Sequence, residues 1–446
     1  MNDFQAGPKA LVVPLCGLLL LVLTATGLYQ QQQDRIEAFV AVALAQGAVY
    51  FAACALVWRN RGSRPIIVLI VAVAAAMRLM ALFAPPYLSS DIYRYVWDGR
   101  VLAAGINPYR YIPTDPQLEH LRDPAIWPEI NRSNYAPTIY PPAAQAIFFA
   151  ATRFGETLTV MKAAMLALET AAIGLMLHTL VASGQPGARI LIYAWHPLPV
   201  WEFAGSGHID AAVVFFVTLA LWLRQHLPGW TSGLALAGAV LTKLYPLVLF
   251  PAFWRRWEWR MPFAFALAIG LAYLPFLDVG SGVIGFLPGH MAEEGFTDGG
   301  AGFYLWSLAN AVLPLAGAPA HVYIATAAAL MLAIGAFVAF RRGASEPDLP
   351  GAALLATACM VLLSPHYPWY FAWLVVFACL LPCFSLLWLT IAVFLLYLVP
   401  VGSQLVRDSS RLIVESIIYL PFAVLAAIEW RQRRREAPRH AEHAPR

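Results

Sequence analysis

The chain has 446 residues, of which 60% are hydrophobic and only 12% are charged, and its mean hydropathy is +0.65. An average soluble domain carries roughly twice this share of charged residues. The composition therefore excludes a disordered chain, a nucleic-acid-binding domain and an ordinary cytosolic enzyme, and it predicts a polytopic membrane protein. The formal net charge of +4 is small, so the basic residues are informative only through their placement.

Apolar runs of helical length follow one another along most of the chain. A bilayer core of about 30 Å requires about 20 such residues for each helical span. The run at 231–254 is interrupted by Thr242-Lys243-Leu244-Tyr245-Pro246, which predicts two short membrane helices that meet at this break. We therefore expect an all-α fold, a polytopic transmembrane helical bundle of about 12–14 spans. The runs lie near 10–28, 36–58, 66–83, 159–182, 188–205, 208–225, 231–254, 261–278, 320–340, 350–364, 367–382, 384–401 and 410–430.

The basic residues fall on one side of the membrane when these spans alternate. That side is the cytoplasm, because short cytoplasmic loops carry an excess of Lys and Arg. The first run has no A-x-A-like cleavage site after it, so we expect a retained helix. We expect a multi-pass protein of the cell inner (plasma) membrane. The basic groups are Lys9, Arg59/Arg61/Arg64, Arg255/Arg256/Arg260, Arg341/Arg342 and Arg431/Arg433/Arg434/Arg435.

The predicted spans divide the chain into three parts. Residues 1–64 form an N-terminal transmembrane hairpin, residues 65–430 form the main membrane domain, and residues 431–446 form a cytoplasmic basic tail. Two long connections within the main domain, at about 84–158 and 279–319, face outward. Connections of this length are uncommon unless they are functional, so we expect them to carry short juxtamembrane helices and part of the active site.

The segment Ser89–Arg100 begins just beyond a predicted membrane helix. At helical spacing Asp91, Arg94 and Asp98 share one face at the membrane surface, as a site would require. A plainer interpretation is that Ser90 or Asp91 caps the helix N-terminus and that the rest is an interfacial helix. Spacing alone favours the plainer interpretation.

Charged groups near membrane helices are costly and usually face a cavity or a partner. His208 and Asp210 lie at the outer start of a span; they either pair with each other, orient a substrate or have a structural capping role. Lys243, close to Tyr245, lies inside an otherwise apolar region and therefore requires an anion. We favour the phosphate of a lipid-linked ligand as this anion, and a buried carboxylate is the alternative.

Two further outer turns carry polar side chains. In Ser364–Tyr370, His366 and Tyr367 are candidate substrate contacts, because sugars stack on aromatic faces and imidazole binds hydroxyl or phosphate oxygens. The alternative is an interfacial aromatic belt with one incidental histidine. Arg411 lies at another outer turn, four residues before Glu415. The alternative interpretation of Arg411 is an i,i+4 ion pair with Glu415.

These candidates all lie on the same side of the membrane. The topology that places them there is derived from the positions of the basic residues and not from the candidates themselves. We therefore expect one site, which faces outward at the membrane surface. The residues on this face are Asp91, Asp210, Lys243, His290, His366 and Arg411.

Missing motifs narrow the predicted reaction. The sequence has no Asp-x-Asp clamp for a nucleotide sugar, no Walker A loop and no G-x-S-x-G elbow. Nucleotides are scarce outside the cytoplasm, so the donor should be a lipid phosphate. A phosphate leaves without a general acid, whereas the acceptor hydroxyl needs a proton acceptor. Asp91 as base, with Lys243 and either His366 or Arg411 on the phosphate, meets this demand.

The ordered set of motifs resembles the GT-C superfamily of integral-membrane glycosyltransferases, and within it the polyprenol-phosphate-mannose-dependent α-mannosyltransferase branch. The resemblance covers about 65–430, a GT-C-like catalytic domain, and leaves out the first two helices. It rests on Ser90-Asp91-Ile92-Tyr93-Arg94-Tyr95, Asp98-Gly99-Arg100, Asn107-Pro108-Tyr109, Tyr140-Pro141-Pro142, Gly207-His208-Ile209-Asp210, Thr242-Lys243-Leu244-Tyr245-Pro246 and Ser364-Pro365-His366.

The resemblance implies an outward-facing cavity, an inverting single displacement and a donor such as polyprenyl-phosphate mannose. Asp91 matches the acidic residue at the end of the family's first core helix and is thereby implied to be the catalytic base. A histidine in the position of His366 is implied to bind the donor phosphate, and Lys243 carries over more weakly. The resemblance also implies a metal-independent enzyme, as members of this branch are, so we expect neither a metal nor a cofactor.

We therefore predict an inverting glycosyltransferase that moves a hexose, mannose by the resemblance, from a polyprenyl-phosphate donor to a hydroxyl of a glycolipid or glycan acceptor. Its partners are these substrates and membrane lipid, with no nucleic acid. Two alternatives remain: a transporter or flippase of a lipid-linked saccharide, and a structural subunit whose polar residues are scattered. The predicted substrate-binding residues are Arg94, Asp98, His208, Asp210, Lys243, Tyr245, His366, Tyr367 and Arg411.

Overall fold

The computed structural model describes residues 9–58, 64–297, 302–313, 320–341, 347–399 and 409–441. Within these ranges the regular elements are helices and no strand is present, which confirms the all-α prediction. Three residues of the basic clusters, Arg59, Arg61 and Arg342, lie outside the described residues.

The α-helices are α1 (Lys9–Gln32), α2 (Ile36–Val57), α3 (Arg64–Leu82), α4 (Asp91–Ala103), α5 (Pro142–Thr152), α6 (Leu158–Ala182), α7 (Leu191–Ala194), α8 (Pro197–Pro199), α9 (Asp210–His226), α10 (Gly229–Thr242), α11 (Phe250–Phe253), α12 (Arg260–Tyr273), α13 (Leu287–Glu293), α14 (Tyr304–Val312), α15 (Ala320–Phe340), α16 (Leu349–Leu363), α17 (Leu374–Leu380), α18 (Phe384–Ala392) and α19 (Ser409–Ala441). A π-helix covers Val200–Gly205. The 3₁₀ helices are Pro116–Leu121, Trp127–Glu129, Gly187–Ile190, Tyr245–Leu249, Leu274–Ile284, Pro368–Phe371 and Val393–Leu398.

Seven helical segments of the described chain are long and apolar enough to cross a membrane, as expected for a polytopic bundle. The prediction of 12–14 spans counted each apolar run as one crossing, except the run 231–254, which it counted as two. Several of these runs instead fold into shorter helices that are interrupted at prolines, because a proline removes a backbone donor from the helix. The seven segments are Val12–Gln32, Ile36–Val57, Arg64–Leu82, Leu158–Ala182, Arg260–Glu293, His321–Phe340 and Ser410–Arg435.

The predicted break in the run 231–254 is present. Helix α10 ends at Thr242, and Lys243 has an extended backbone with φ −147° and ψ 147°. The 3₁₀ turn Tyr245–Leu249, which begins with Tyr245-Pro246, then leads into the short helix α11. The break therefore removes Lys243 from the regular helix and leaves its side chain at the surface of a cavity.

The N-terminal hairpin of α1 and α2 packs against the rest of the bundle through close contacts. A Cβ atom at Gly27 would lie 2.7 Å from the Trp201 ring, so only glycine allows this approach. Gln46 of α2 accepts a hydrogen bond from the Trp201 indole at 2.7 Å and donates one to Thr24 of α1 at 3.0 Å. These buried polar contacts fix the hairpin against the central helices, because an unpaired amide in an apolar interior is costly.

A buried ion pair joins α3 to α6. The Arg78 guanidinium donates to both carboxylate oxygens of Glu169, at 2.9 and 2.6 Å, and to the Ala194 carbonyl at 2.7 Å. The Glu169 side chain is fully buried. Charges inside a membrane bundle are rare and are usually paired in this way, so the pair fixes the relative position of the two helices.

Lys162 of α6 determines where α3 stops. Its ammonium group donates to the Ala81 carbonyl at 2.8 Å and to the Ala84 carbonyl at 2.7 Å. The Ala81 carbonyl also accepts from the Ala84 backbone N–H at 3.2 Å. Lys162 therefore adds a second donor at Ala81 and supplies one to Ala84, at a helix end where the last carbonyls lack helical N–H partners. The chain leaves α3 at this point, and seven residues later it begins α4 at Asp91.

We predict that Arg78→Met destabilises the protein by about 3 kcal/mol or more, because it leaves the Glu169 carboxylate buried without a partner. Thermal unfolding in detergent measures this effect. The double variant Arg78→Met/Glu169→Leu is expected to recover much of the loss, because no buried charge remains. A double variant no more stable than Arg78→Met would contradict this interpretation.

Candidate active site

A cavity of about 840 Å³ lies among the two long connections, the break at Lys243 and the turn before the 3₁₀ helix Pro368–Phe371. Polar side chains in its wall include those of Asp91, Asn131, Arg132 and Lys243. Apolar side chains form much of the remainder. They include Leu244, Leu247, Val248, Met291, Phe296, Phe303, Met360 and Leu363.

The structure brings half of the predicted site residues to this cavity. Asp91, Arg94, Lys243, Tyr245 and Tyr367 line it. The other predicted residues contact the wall from behind or lie one layer further out. They are Asp98, His208, Asp210, His366 and Arg411.

Asp91 is the first residue of α4 and is partly exposed to the cavity. Its Oδ1 accepts a hydrogen bond of 2.7 Å from the Asn131 side chain, and its backbone N–H donates to the Ser89 hydroxyl at 3.1 Å. Ser90 occupies the N-cap position without a side-chain capping bond. The plainer prediction is thus correct about the position of the N-cap, but the hydroxyl that accepts from the first helical N–H belongs to Ser89 and not to Ser90.

Arg94 and Asp98 form a buried i,i+4 ion pair, with 2.8 Å between Nε and Oδ1. Asp98 also accepts hydrogen bonds from Thr138 and Gln145. Thus Asp98 has its partners on the protein side of the wall and is not directed at the cavity. This corrects its assignment as a direct substrate contact; it holds Arg94 and the outer segment near Thr138 in place.

Lys243 has a buried carboxylate as its partner. Its Nζ lies 2.7 Å from Oδ2 of Asp210, whose side chain is fully buried, and the Tyr245 hydroxyl donates to Oδ1 at 2.8 Å. The ammonium group also lies 4.6 Å from the centre of the Tyr370 ring. The alternative partner, a buried carboxylate, is therefore present, and Asp210 lies behind the wall of the cavity.

His208 does not pair with Asp210. Its ring stacks on Trp369 with centroids 4.2 Å apart, and its Nε2 lies 3.5 Å from Oε2 of the buried Glu202. Tyr367 stacks on the same tryptophan, with centroids 4.3 Å apart. The three rings form one stack, so His208 supports the wall from behind while Tyr367 lines the cavity.

His366 and Arg411 reach the cavity only through other groups. His366 Nδ1 lies 3.6 Å from Oε2 of Glu294, which lines the wall. Arg411 forms the expected i,i+4 ion pair with Glu415 at 3.0 Å and contacts the Gly302 carbonyl at 3.4 Å. The simpler explanation of Arg411, an ion pair, is confirmed.

Sequence reasoning missed several residues of the wall. Asn131 and Arg132 come from the first long connection, and Glu294 comes from the second. Arg132 has a positive φ of 55°, and its Nη2 lies 2.8 Å from Oε2 of Glu293. The sequence signal was weak, because these residues lie in irregular segments without periodicity; long outward connections were the only general indication.

Burial changes the protonation of two groups that contact each other at the wall. It raises the pKa of Glu294 to about 7 and lowers the pKa of His366 to about 4, because charged forms are disfavoured away from water. Near neutral pH the histidine is therefore neutral, and Glu294 changes its charge. In the described ranges no three His, Cys, Asp or Glu side chains cluster closely enough to hold a metal ion.

Comparison with known families matches residues 15–258, more than half of the chain, to the Alpha-(1->6)-mannopyranosyltransferase, N-terminal domain. The chain belongs to this mannosyltransferase family. The match confirms the resemblance to GT-C mannosyltransferases, and it includes the first two helices. No curated protein and no solved structure matches the chain.

Family membership identifies the protein as a membrane glycosyltransferase that acts with mannose. Several cavity residues of this mannosyltransferase lie in the matched region, among them Asp91, Arg132 and Lys243. Glu294 and Tyr367 line the cavity from the remainder of the chain. The cavity is thus built jointly by the matched region and the segments that follow it.

We predict that an anionic lipid phosphate binds the mannosyltransferase more weakly as the pH rises through 7. Glu294 is neutral below its pKa of about 7 and negative above it. A negative charge in the wall repels a nearby anion by about 1 kcal/mol or more. This repulsion lowers the affinity for the anion about fivefold. Titration with farnesyl phosphate between pH 6 and 8 measures the effect.

Glu294→Gln is expected to remove the part of this pH profile that comes from the wall, because the amide does not ionise. The second ionisation of the phosphate monoester, with a pKa of about 6, remains and is common to both proteins. Glu156→Gln is the matched control, since Glu156 pairs with Arg100 in the first connection and does not line the cavity. A profile that keeps its slope in Glu294→Gln would refute the role of this carboxyl group.

Proposed function

We propose that this mannosyltransferase moves mannose from a polyprenyl-phosphate donor to a hydroxyl of a lipid-linked or glycan acceptor, with inversion, at the outer face of the membrane. Asp91 is the catalytic base. The observation that carries the proposal is the Asp91 carboxylate in the polar part of the wall of a large, otherwise apolar cavity. Asn131 holds Oδ1, and among the described residues no hydrogen bond occupies Oδ2.

The cavity suits a donor with a charged head and a hydrocarbon tail. Arg132 and Lys243 bring positive charge to the polar part of the wall. The apolar part includes Leu244 and Leu247, which are 42% and 50% exposed. Their apolar side chains are thus accessible to a hydrocarbon chain that enters the cavity from the surrounding lipid. A prenyl chain can bind along this part while its phosphate remains near the cations.

The reaction follows as one displacement. The acceptor hydroxyl loses its proton to Asp91 as its oxygen forms a bond to C1 of mannose, and the bond from C1 to the phosphate oxygen breaks. The electron pair of that bond leaves with the polyprenyl phosphate, whose charge the nearby cations stabilise. A single displacement inverts C1, so an α-linked product requires a β-linked donor.

The membrane face is inferred from the order of the helices. Helix α3 begins at Arg64, in a basic cluster, and ends close to the segment that carries Asp91. A helix of 19 residues spans a bilayer, so the cavity and this cluster lie at opposite faces. Because short cytoplasmic loops are rich in Arg and Lys, we assign the cavity to the outer face.

The remaining predicted residues support this site in different ways. Lys243 lines the cavity and retains donors beyond the one used on Asp210. Tyr367 offers an aromatic surface on which a sugar can stack. His366 and Arg411 act through Glu294 and Gly302 and are positioning residues in this proposal.

We predict that Asp91→Asn abolishes transfer, by about 100-fold or more, because the amide cannot accept the hydroxyl proton. Donor binding should change little, since shape and hydrogen bonding are nearly conserved. Release of polyprenyl phosphate by purified protein from polyprenyl-phosphate mannose measures transfer. Asp115→Asn is the control, because Asp115 caps a 3₁₀ helix of the same connection and an asparagine caps equally well.

Full transfer by Asp91→Asn would disprove the base assignment. A transporter or flippase, the competing function, predicts that wild-type protein moves the lipid-linked saccharide across vesicles without releasing polyprenyl phosphate. That result would overturn the proposed reaction.

We predict that Leu247→Trp raises the KM for polyprenyl-phosphate mannose about fivefold to tenfold and leaves kcat within about twofold, because the larger ring obstructs the apolar part of the cavity but does not touch the reacting groups. Leu267→Trp is the matched control. Leu267 is 46% exposed, lies on α12 and does not line the cavity. An unchanged KM in Leu247→Trp would exclude this part of the cavity as the prenyl site.

A further inference from the structure

We infer that Arg132 is the residue that takes the donor phosphate, and that Glu293 occupies its guanidinium group until the phosphate replaces it. The inference rests on the proposed function, which leaves the phosphate ligand open. It assigns a role to a residue of an irregular segment and to an ion pair that joins the two long connections.

The argument begins with the partners of the cations near the cavity. Lys243 is paired with Asp210, whose side chain is 0% exposed. Arg94 is paired with Asp98, which is 2% exposed, and the partner of Arg411 is 3% exposed. If a phosphate displaced the carboxylate from one of these cations, a buried carboxylate would lose its counter-charge, which costs several kcal/mol. Lys243 can therefore assist a phosphate only while it keeps Asp210 as its partner.

Arg132 differs from these cations in the exposure of its partner. The Glu293 side chain is 32% exposed, and that of Arg132 is 30% exposed. An ion pair at this exposure contributes about 1 kcal/mol or less. Glu293 also accepts a hydrogen bond of 3.0 Å from the Tyr135 hydroxyl, so a carboxylate released by Arg132 keeps one partner and gains water. Among the cations compared here, all within the described residues, Arg132 therefore exchanges its carboxylate partner for a phosphate at the lowest cost.

The Arg132–Glu293 contact also has the geometry of a phosphate contact. The Arg132 Nε donates to both carboxylate oxygens, at 3.2 and 2.8 Å, and Nη2 approaches Oε2 to 2.8 Å. Guanidinium groups bind carboxylates and phosphates through the same planar fork of N–H donors. Glu293 thus stands where phosphate oxygens can bind the same donors.

The backbone supports this placement. Arg132 has a φ of 55°, a left-handed conformation that costs a non-glycine residue roughly 1–2 kcal/mol and that is concentrated at functional sites. Its neighbour Asn131 holds the Asp91 carboxylate at 2.7 Å. Two consecutive residues therefore hold the base and the phosphate-binding group, so the distance between these groups is set by one short piece of backbone.

Binding of farnesyl phosphate to the purified full-length protein in detergent tests the inference, with farnesol as the probe that lacks phosphate. Arg132→Met should weaken farnesyl phosphate about tenfold or more, because charge-assisted hydrogen bonds are lost. Glu293→Gln should strengthen it about threefold, because the competing charge is gone. In the Arg132→Met background, Glu293→Gln should have no effect, and farnesol should be insensitive to all variants.

A matched pair of residues provides the control. Arg110 of the first connection and Asp278 of the 3₁₀ helix Leu274–Ile284 form an ion pair with side chains 43% and 48% exposed, and neither lines the cavity. Arg110→Met and Asp278→Asn should leave farnesyl phosphate binding unchanged. Equal weakening by Arg110→Met and Arg132→Met would overturn the inference, because it would indicate a general loss of positive charge.

Two further results overturn the inference and leave the proposed function intact. One is an unchanged affinity of Arg132→Met for farnesyl phosphate, and the other is weaker binding of farnesyl phosphate by Glu293→Gln. Both apply when the wild-type protein transfers mannose and Asp91→Asn does not. Conversely, the expected affinity pattern in a protein that transfers no sugar from any polyprenyl-phosphate donor supports Arg132 as a lipid-phosphate ligand and rejects the proposed reaction. Thermal unfolding of each variant identifies any loss of binding that comes from loss of the fold.

Discussion

The high cost of an unpaired charge inside an apolar bundle governs this structure. Arg78 is held by Glu169, the Lys162 ammonium group by two helix carbonyls, and Lys243 by Asp210. Each contact gives a charged side chain a partner within the protein, so that this side chain is not available to a substrate. Each contact also fixes one helix against another. Few charged groups of the cavity wall remain free to exchange partners, so the same constraint that builds the fold also selects the residues available for chemistry.

The cavity combines two environments that a lipid-linked substrate requires. Irregular backbone surrounds the polar part of its wall, where α4 begins and where the helix break exposes Lys243. Its apolar part includes side chains that are accessible to a hydrocarbon chain. Irregular backbone at membrane depth is tolerated where it lines a cavity or is buried in protein, so the breaks in the apolar runs and the position of the site have one physical cause.

The sequence allowed prediction of those features that depend on local patterns. Helical spacing placed Arg411 beside Glu415, and Pro246 after Lys243 indicated a broken helix; both features are present. The ordered motifs indicated the mannosyltransferase family, which the match over residues 15–258 confirms. Local patterns worked here because the interacting residues are neighbours on one helix or on one stretch of backbone.

Partners that come from distant parts of the chain could not be predicted in this way. Asp98 and Asp210 both follow the motif pattern, yet each is turned away from the cavity toward a cation of the wall. Arg132 and Glu293 are separated by 161 residues; Arg132 lies in an irregular segment, and Glu293 ends the short helix α13. Whether a cation of the wall binds a phosphate or a protein carboxylate depends on how deeply that carboxylate is buried. The spacing of residues in the sequence gives no information about this burial.

The amino-acid order alone determined a helical membrane protein, its family and the candidate base Asp91, because hydropathy, periodicity and short motifs are properties of neighbouring residues. Only the tertiary structure decided which charges are locked by buried partners and which face an open space. Whether a charged side chain is locked or available depends on the cost of removing it and its partner from water. This cost depends on all the groups that surround the pair in the folded protein.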